Sequence, residues 1–326
     1  MKILITGSSG FVGSRLVEHF HQTGFSVRGS GRSLQSLDSQ KSLSDYFQGD
    51  ISDFNTCLNM VQGIDCIIHC AGKVGTWGLY QEYYEANVVG TENLLKAAKS
   101  CGVKRFINLS TPSIYLDFKD KLNIQEHEIP SDFSNAYAQT KYLAEEVVEA
   151  FHGNDMYTLS LRPRLIIGAG DTNVLPRLLR LSDEGKLKKV GTGENIVTVT
   201  TMKNLIHAID LCIKAPKSAY GEAYNIGNAE PVNFWDFVNE VLNKFDKKKV
   251  ETRLPFFVAF SLARVIEFFA KALKIKKEPA ILPVPVAVLA KSMTLDISKA
   301  KERLGYNPIF DARDGINEFY DSVSLK

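Results

Sequence analysis

"MKILITGSSGFVGSRLVEHFHQ", residues 1–22, decides the fold. Residues 2–6, KILIT, form a short apolar run of the kind a parallel strand buried on both faces requires. FVGSRLVEHFHQ then sets Phe11, Val12, Leu16, Val17 and Phe20 at helical spacing. Between strand and helix stand Gly7, Gly10 and Gly13, three apart. Glycines there permit a tight turn, let backbone N–H groups approach a pyrophosphate, and let helix and strand pack closely. The helix N-terminus adds the positive end of its dipole. A bare glycine triplet is a weak signal, and this one reads GxxGxxG rather than GxGxxG. Its weight comes from standing at the first turn of a chain that goes on alternating.

The alternation continues through a short run at 26–30, YFQGDI at 46–51, a helical segment at 53–61 and the apolar DCIIHCAG at 65–72. A long helical stretch spans about 81–101. KRFINLS (104–110), a helix over 136–152 and MYTLSLRP (156–163) follow. The pattern predicts an α/β fold, a Rossmann-type doubly wound parallel sheet with right-handed crossovers. After about residue 168 the order becomes irregular. Helices are expected at 174–184, 203–214, 233–245 and 256–273, strands at 187–190, 196–200 and 222–226, and a proline-punctuated stretch at 279–285. The expected division is a dinucleotide-binding domain over 1–168 and a smaller, mainly helical substrate domain over 169–326. Segments near 203–227 return to the sheet. No glycine- or serine-rich linker separates the parts, so a shared cleft is expected.

Composition narrows the function. The 326 residues are 44% hydrophobic and 23% charged, with net charge +2 and spread Lys and Arg, which gives no electrostatic case for nucleic acid. The five cysteines form no CxxC pair and are read as reduced thiols of a cytoplasmic protein, with no metal site. The start of the chain is too soon interrupted by glycine for a signal peptide. No run reaches the roughly 18 apolar residues of a membrane span. LPFFVAFSLARVIEFFAKAL (254–273), followed by Lys274, Lys276 and Lys277, leaves room for peripheral membrane contact.

An unphosphorylated ribose calls for an acid at the end of the second strand, and a 2′-phosphate calls for a base. FSVRGSGRSLQSLD offers Arg28 and Arg32 and no acid before Asp38, while Gly29, Ser30 and Gly31 leave room for a bulky group. The preference is NADP over NAD, with Arg32 as ligand.

Catalysis at a carbonyl carbon needs a proton donor for its oxygen, and tyrosine with a reference pKa of about 10 serves only when a cation lowers it. Two tyrosines have a lysine four residues on: Tyr115 with Lys119, and Tyr137 with Lys141. The first pair lies just past a strand in IYLDFKDKLN, with no amphipathic helix to align it. Tyr137 and Lys141 sit at a helix start, with Ser134 or Asn135 as cap, so both occupy one face. The preceding strand end, LSTPS, supplies Ser110, Thr111 and Ser113 as hydroxyls to hold a substrate oxygen.

At this point the chain resembles the extended short-chain dehydrogenases/reductases of the NAD-dependent epimerase/dehydratase superfamily. TGSSGFVGSRL is similar to their TGxxGFxG turn, GDISD (49–53) to GDxxD, HCAG (69–72) to the strand-four HxAA, YAQTK to YxxxK, and LRPRLIIGAGD to LRPxxxYGPGD. NVVGTENLLKAAKSCGVKRFINLST matches the Asn-x-x-Gly-Thr helix and serine strand. The resemblance implies Tyr137 as acid/base, Lys141 as its partner and ribose ligand, and Thr111 as the substrate hydroxyl, with Ser110 and Ser113 as fallbacks. It implies cofactor contacts at Gly7, Ser9, Gly10, Phe11, Val12 and Gly13, at Asp50 and Ile51 beside adenine, and at Ala71, Gly72, Asn87 and Ser110. Pro163, Arg164 and Leu165 fall near the nicotinamide. It further implies a homodimer built on helices near 84–101 and 136–152.

The second half divides that family. Where sugar-nucleotide epimerases hold a diphosphate with GxxxRDFxYVxD, this chain has GENIVTVTTMKN, with Val197 for the arginine and Thr198 for the aspartate. Arg177 and Arg180 are the available substitutes. GEAYNIGNAEPVNFWDFVNEVL and the late EPAILPVPVAVLAKSMTLDISKAKERLGYNP instead resemble the 3β-hydroxysteroid dehydrogenase-like branch, beside the flavonol-type reductases. The expected activity is NAD(P)-dependent interconversion of a ketone and a secondary alcohol on a sterol-like or β-keto/β-hydroxy acyl small molecule. A nucleotide-sugar epimerase/dehydratase with tightly bound NAD is the alternative, and a non-catalytic dinucleotide-binding regulator the third reading. Trp235, Phe237, His69 and His207 are read as structural.

Overall fold

The computed structural model describes residues 1–33 and 45–324. Seven parallel strands form the central sheet: β1 (Lys2–Thr6), β2 (Ser26–Gly31), β3 (Tyr46–Gln48), β4 (Cys66–His69), β5 (Arg105–Leu109), β6 (Tyr157–Pro163) and β7 (Ala223–Ile226). Their order is β7-β6-β5-β4-β1-β2-β3, so the winding reverses between β1 and β4, where doubly wound sheets open a ligand crevice.

Period-two alternation along β1 explains the two covered faces. Ile3 and Ile5 pack with Leu16, Val17 and Phe20 of helix α1 (Phe11–Gln22), while Leu4 faces the opposite layer with Met60, Leu94 and Leu95. That second layer comprises α2 (Phe54–Met60), α3 (Tyr80–Tyr84), α4 (Gly90–Ser100) and α5 (Ala136–Ala150). Each such side chain taken from water contributes about 1.5–3 kcal/mol. The stretch expected as one helix over 81–101 is interrupted by a π turn, Glu85–Val89.

The rest carries α6 (Val174–Asp183), α7 (Met202–Lys214), α8 (Phe234–Lys244), α9 (Phe256–Ala272), α10 (Pro283–Ala290), α11 (Ser298–Leu304) and α12 (Ala312–Ser324). The helix α7 packs Met202, Leu205 and Ile209 against the α1 face of the sheet. Trp235 and Phe237 are buried among Leu175, Val197 and Ile316. The proline-punctuated stretch is helical from Pro283 onward. Pro283 and Pro285 fall in the first turn, where a missing N–H breaks no intrahelical bond. A second sheet joins Lys121–Ile124 to Met293–Leu295 and Ile196–Val197. It brings the segment after β5 under the C-terminal helices.

All five cysteines are free. Among the described residues no group of three or more side chains is placed to hold a metal, and no helix is long and apolar enough to cross a membrane.

Candidate active site

The chain leaves β1 at Gly7, whose φ of +65° lies in the left-handed region. A Cβ there would stand 2.8 Å from the Ala71 backbone nitrogen, and one on Gly13 would stand 2.3 Å from the Gly7 carbonyl oxygen. Both positions must therefore be glycine. Gly10 precedes α1, and no side chain caps that helix or places an acid in its first turn. Its N–H groups and dipole rely on another partner, which an anion satisfies. Phe11 and Val12 form that first turn, half-buried against the core.

At the carboxyl ends of β1, β2 and β4 lies a cleft of about 390 Å³, lined by Gly7, Arg32, Asp50, Ile51, Ala71 and Gly72 together with Ser30 and Gly31. Ser9 borders it, with its Oγ 3.3 Å from where a Cβ on Gly31 would be. Glycine cradle, uncapped helix and cleft volume together fit a dinucleotide. Arg28 does not serve it. Its Nε donates to Asp45 Oδ1 at 2.8 Å and its Nη1 to the carbonyls of Met60 and Gln62 at 2.8 and 3.1 Å, which ties β2 to the end of α2. Asp38 lies outside the described residues.

Asn87 sits in the π turn. Its Oδ1 accepts from the Lys73 N–H at 2.7 Å, and its Nδ2 donates to the Lys73 carbonyl and the Thr140 hydroxyl, each at 3.1 Å. A Cβ on Gly72 would lie 2.9 Å from that Oδ1. Asn87 thus clamps the floor of the cleft to α5. The buried His69 is bonded on both ring nitrogens, to Thr6 Oγ1 at 2.7 Å and Thr91 Oγ1 at 2.9 Å, and burial drives its pKa down to about 3. It stays neutral and structural.

Beyond β5 the Ser110 N–H donates to the Leu161 carbonyl at 2.7 Å, locking this strand end to β6. Thr111 begins a 3-10 turn, accepting from the Ser113 N–H at 3.1 Å and donating to the Ser113 hydroxyl at 3.0 Å. Asn135, not Ser134, caps α5, accepting from the Ala138 N–H at 2.8 Å. The cap places Tyr137 in the first turn with its phenol beside the Thr111 hydroxyl. Burial raises the Tyr137 pKa, Thr111 works against that rise, and Tyr83 adds to it. One turn on, Lys141 is 6% exposed and its Nζ donates to the Leu109 carbonyl at 2.5 Å. Burial pulls the Lys141 pKa down to about 8, more than the Glu145 carboxylate raises it. The other pair separates: Tyr115 is buried against Asn225 at 2.8 Å and Arg162, while Lys119 is exposed.

Two parts of this region, Tyr83 and the loop it braces, had no sequence signal. The Tyr83 ring lies 6.5 Å from that of Tyr137 and donates its hydroxyl to the Trp77 carbonyl at 3.0 Å. Trp77 Nε1 in turn donates to the Ile275 carbonyl at 3.1 Å, and Thr76 to Glu278 Oε1 at 2.9 Å, so the segment after α9 closes onto loop 73–79. That loop, KVGTWGL, has neither helical nor strand period. The hydroxyls of Ser110 and Ser134 are buried with no hydrogen-bond partner among the described residues, which leaves two polar groups for a ligand.

Arg164 follows Pro163 at the end of β6, the strand beside β5. It is 7% exposed; among the described residues its Nε has no partner and its Nη1 reaches only the Met293 thioether sulfur, at 2.6 Å. Burial alone pulls its pKa down to about 10. The next residue, Leu165, holds φ +44°, a conformation that costs a branched side chain on the order of 1–3 kcal/mol.

The sequence of residues 4–256 matches the 3-beta hydroxysteroid dehydrogenase/isomerase family. The chain belongs to that family. It is 32% identical to the 2-alkyl-3-oxoalkanoate reductase of Stenotrophomonas maltophilia, over 97% of each chain. It is 33% identical to the decarboxylating sterol-4-alpha-carboxylate 3-dehydrogenase of Candida albicans, over 98% of this chain and 96% of that one. In fold it resembles the UDP-glucuronic acid 4-epimerase of Bacillus cereus in complex with NAD, with a TM-score of 0.77 at 24% identity, covering 100% and 99% of the two chains. This member of the 3-beta hydroxysteroid dehydrogenase/isomerase family is an NAD(P)-dependent oxidoreductase, as its glycine cradle and relatives agree.

The family member differs from a diphosphate-holding site at two positions. Val197 is fully buried and pairs with Met293, and the Thr198 hydroxyl accepts from the Leu295 N–H at 2.9 Å. Arg177 and Arg180 are exposed on α6.

Proposed function

We propose that the protein uses NADPH to reduce the ketone of an apolar 3-oxo acid to a secondary alcohol. When bound, the nicotinamide supplies the hydride to the carbonyl carbon. Tyr137 gives its phenolic proton to the carbonyl oxygen, Thr111 holds that oxygen in line, and the Lys141 ammonium stabilises the phenolate left behind. Gly7, Gly10 and Gly13 with the start of α1 would hold the pyrophosphate, and Asp50, Ile51, Ala71 and Gly72 the adenosine half.

The observation that carries the substrate class is Arg164. A buried guanidinium with no acid paired to it among the described residues is costly, and a ligand carboxylate would relieve that cost. The names of the two relatives fit: each places a carboxylate on the carbon next to the one that is reduced or oxidised. Arg164→Gln should lower kcat/KM for a 3-oxo acid by about a hundredfold and for its methyl ester by less than about threefold. Equal losses on the two substrates would remove the carboxylate assignment.

The nucleotide preference rests on Arg32. Its place in the cleft beside Ser30 and Gly31 supports a 2′-phosphate contact. Arg32→Ser is expected to weaken NADPH binding roughly ten- to a hundredfold while NADH binding changes by less than about twofold. Parallel fluorescence titrations read this directly, and identical shifts would count against NADP. The nucleotide-sugar reading, which the shared fold keeps in view, predicts no net nicotinamide oxidation during turnover. It lacks the diphosphate cation that Val197 replaces.

A further inference from the structure

We propose that Tyr83 is a positioning residue for the reduction: it holds the Tyr137 phenol against the Thr111 hydroxyl and ties that pose to the closure of loop 73–79. The proposal rests on the role of Tyr137 given above. Helix α3 lies against α5, and of its five residues only Tyr83 is buried, at 2% exposure. The ring centroids of Tyr83 and Tyr137 are 6.5 Å apart, with an angle of 55° between the planes. Tyr137 is thereby bracketed, with Thr111 beside its hydroxyl and Tyr83 at its ring. Tyr83 is not a second acid. Its hydroxyl is engaged by the Trp77 carbonyl at 3.0 Å, and burial, with the Glu278 and Glu82 carboxylates, raises its pKa. Alignment of the true acid matters, because an error of about 1 Å in a reacting group lowers a rate by about a hundredfold.

Packing alone would be served by phenylalanine; the Tyr83 hydroxyl serves the loop. Asn87 fixes the start of that loop by holding both the N–H and the carbonyl of Lys73, at 2.7 and 3.1 Å. The Lys73 Nζ stands 5.4 Å from the Tyr83 ring centroid and pairs with Glu82 at 2.9 Å. Beyond it, Gly75 and Gly78 hold φ of +142° and +149°, a region that side chains rarely enter. A Cβ on Gly75 would lie 3.1 Å from the Tyr83 hydroxyl, and one on Gly78 3.1 Å from the Tyr83 Cε2. Glycine at these positions lets the backbone wrap the rim of the ring. Between them, Thr76 and Trp77 are held by Glu278 and the Ile275 carbonyl, both bonds lying at the surface. Exposed hydrogen bonds contribute little net stability. A loop on two glycine hinges can therefore lift for substrate and product, and it takes the Trp77 carbonyl away from Tyr83 as it goes. Closing restores that bond and the rigid wall behind Tyr137, so substrate meets an aligned acid only beneath a closed loop.

A double-mutant cycle on Tyr83 and Tyr137 tests the proposal, with NADPH and 3-oxodecanoate as probes. Tyr83→Ala should lower kcat by about ten- to a hundredfold while NADPH binding, read by fluorescence titration, stays within about threefold. In a Tyr137→Phe background the same substitution should change the residual rate by less than about twofold, since a residue acting through Tyr137 has nothing left to align. Tyr83→Phe keeps the ring and should restore kcat to within about threefold of wild type, with KM still raised about three- to tenfold because the loop has lost its bond. The loop is also read without turnover. Of the two tryptophans Trp235 is fully buried, so acrylamide quenching reports Trp77. That quenching should rise by about twofold in Tyr83→Phe. If Tyr83→Ala loses NADPH binding, Gly78→Ala crowds the ring from the loop side and takes its place in the cycle, with the same expectations. An effect that persists in full in the Tyr137→Phe background would overturn the proposal, as would unchanged Trp77 quenching in Tyr83→Phe. A Tyr137→Phe variant with the wild-type rate would remove the acid role and the proposal with it, a result distinct from either.

Discussion

Tyr137→Phe is expected to lower the limiting rate of ketone reduction by about 10²- to 10⁴-fold while leaving NADPH binding within a few-fold of wild type. The substitution removes one oxygen. The ring can remain packed near Tyr83, and the glycine cradle lies on other elements. What is lost is the phenol beside Thr111 that is proposed as proton donor. Stopped-flow absorbance of the nicotinamide separates binding from chemistry, and a variant retaining more than about a tenth of the rate would dismiss Tyr137 as the acid. The same role makes a pH forecast. Lys141 is useful while protonated, and burial holds its pKa near 8, below the lysine reference value. The reduction rate should therefore be flat below that pH and fall as pH rises through it. Lys141→Arg keeps the charge at all these pH values and should abolish the fall, though at a lower plateau because the guanidinium fits the Leu109 carbonyl poorly.

How much of this could be read from the residues depended on sequence distance. The glycine turn, the apolar strands and the start of α5 are local patterns, and each formed where its period and caps placed it. The resemblance to the hydroxysteroid branch likewise rested on ordered motifs, and the family match bears it out. Three features were beyond such patterns. The π turn at Glu85–Val89 looks like uninterrupted helix to any 3.6-residue count, yet it presents Asn87 to Lys73. The strand Lys121–Ile124 exists because Met293–Leu295 pairs with it from far along the chain. Arg28 and Arg32 are equally basic on paper; only the position of Asp45 and the carbonyls of Met60 and Gln62 shows which one is already engaged. Within the proline-punctuated stretch the helix starts at Pro283, because proline breaks a helix in its interior and not in its first turn.

Glu145→Ala is expected to cost about 3–5 kcal/mol of stability, the largest loss forecast for a single side chain outside the cofactor cleft. Glu145 and Arg162 are only 7% and 4% exposed as side chains, and the Arg162 Nε lies 2.9 and 3.1 Å from the two carboxylate oxygens. The guanidinium also donates to the Glu126 carbonyl at 2.8 Å and to the Tyr115 hydroxyl, which itself donates to Asn225 Oδ1 at 2.8 Å. Removing the carboxylate strands a cation in this network, whereas removing both ions need not. Glu145→Leu/Arg162→Met should therefore recover much of the loss in a denaturant titration, and a single variant costing under about 1 kcal/mol would show the pair to be solvated. The network also reaches the chemistry. Glu145 lies one turn after Lys141 on α5 and is the carboxylate that raises its pKa against burial. The milder Glu145→Gln should thus move the fall in reduction rate to lower pH, because Lys141 loses its proton more readily without that charge. A lowered midpoint with an unmoved pH profile would confine Glu145 to holding α5 on the sheet.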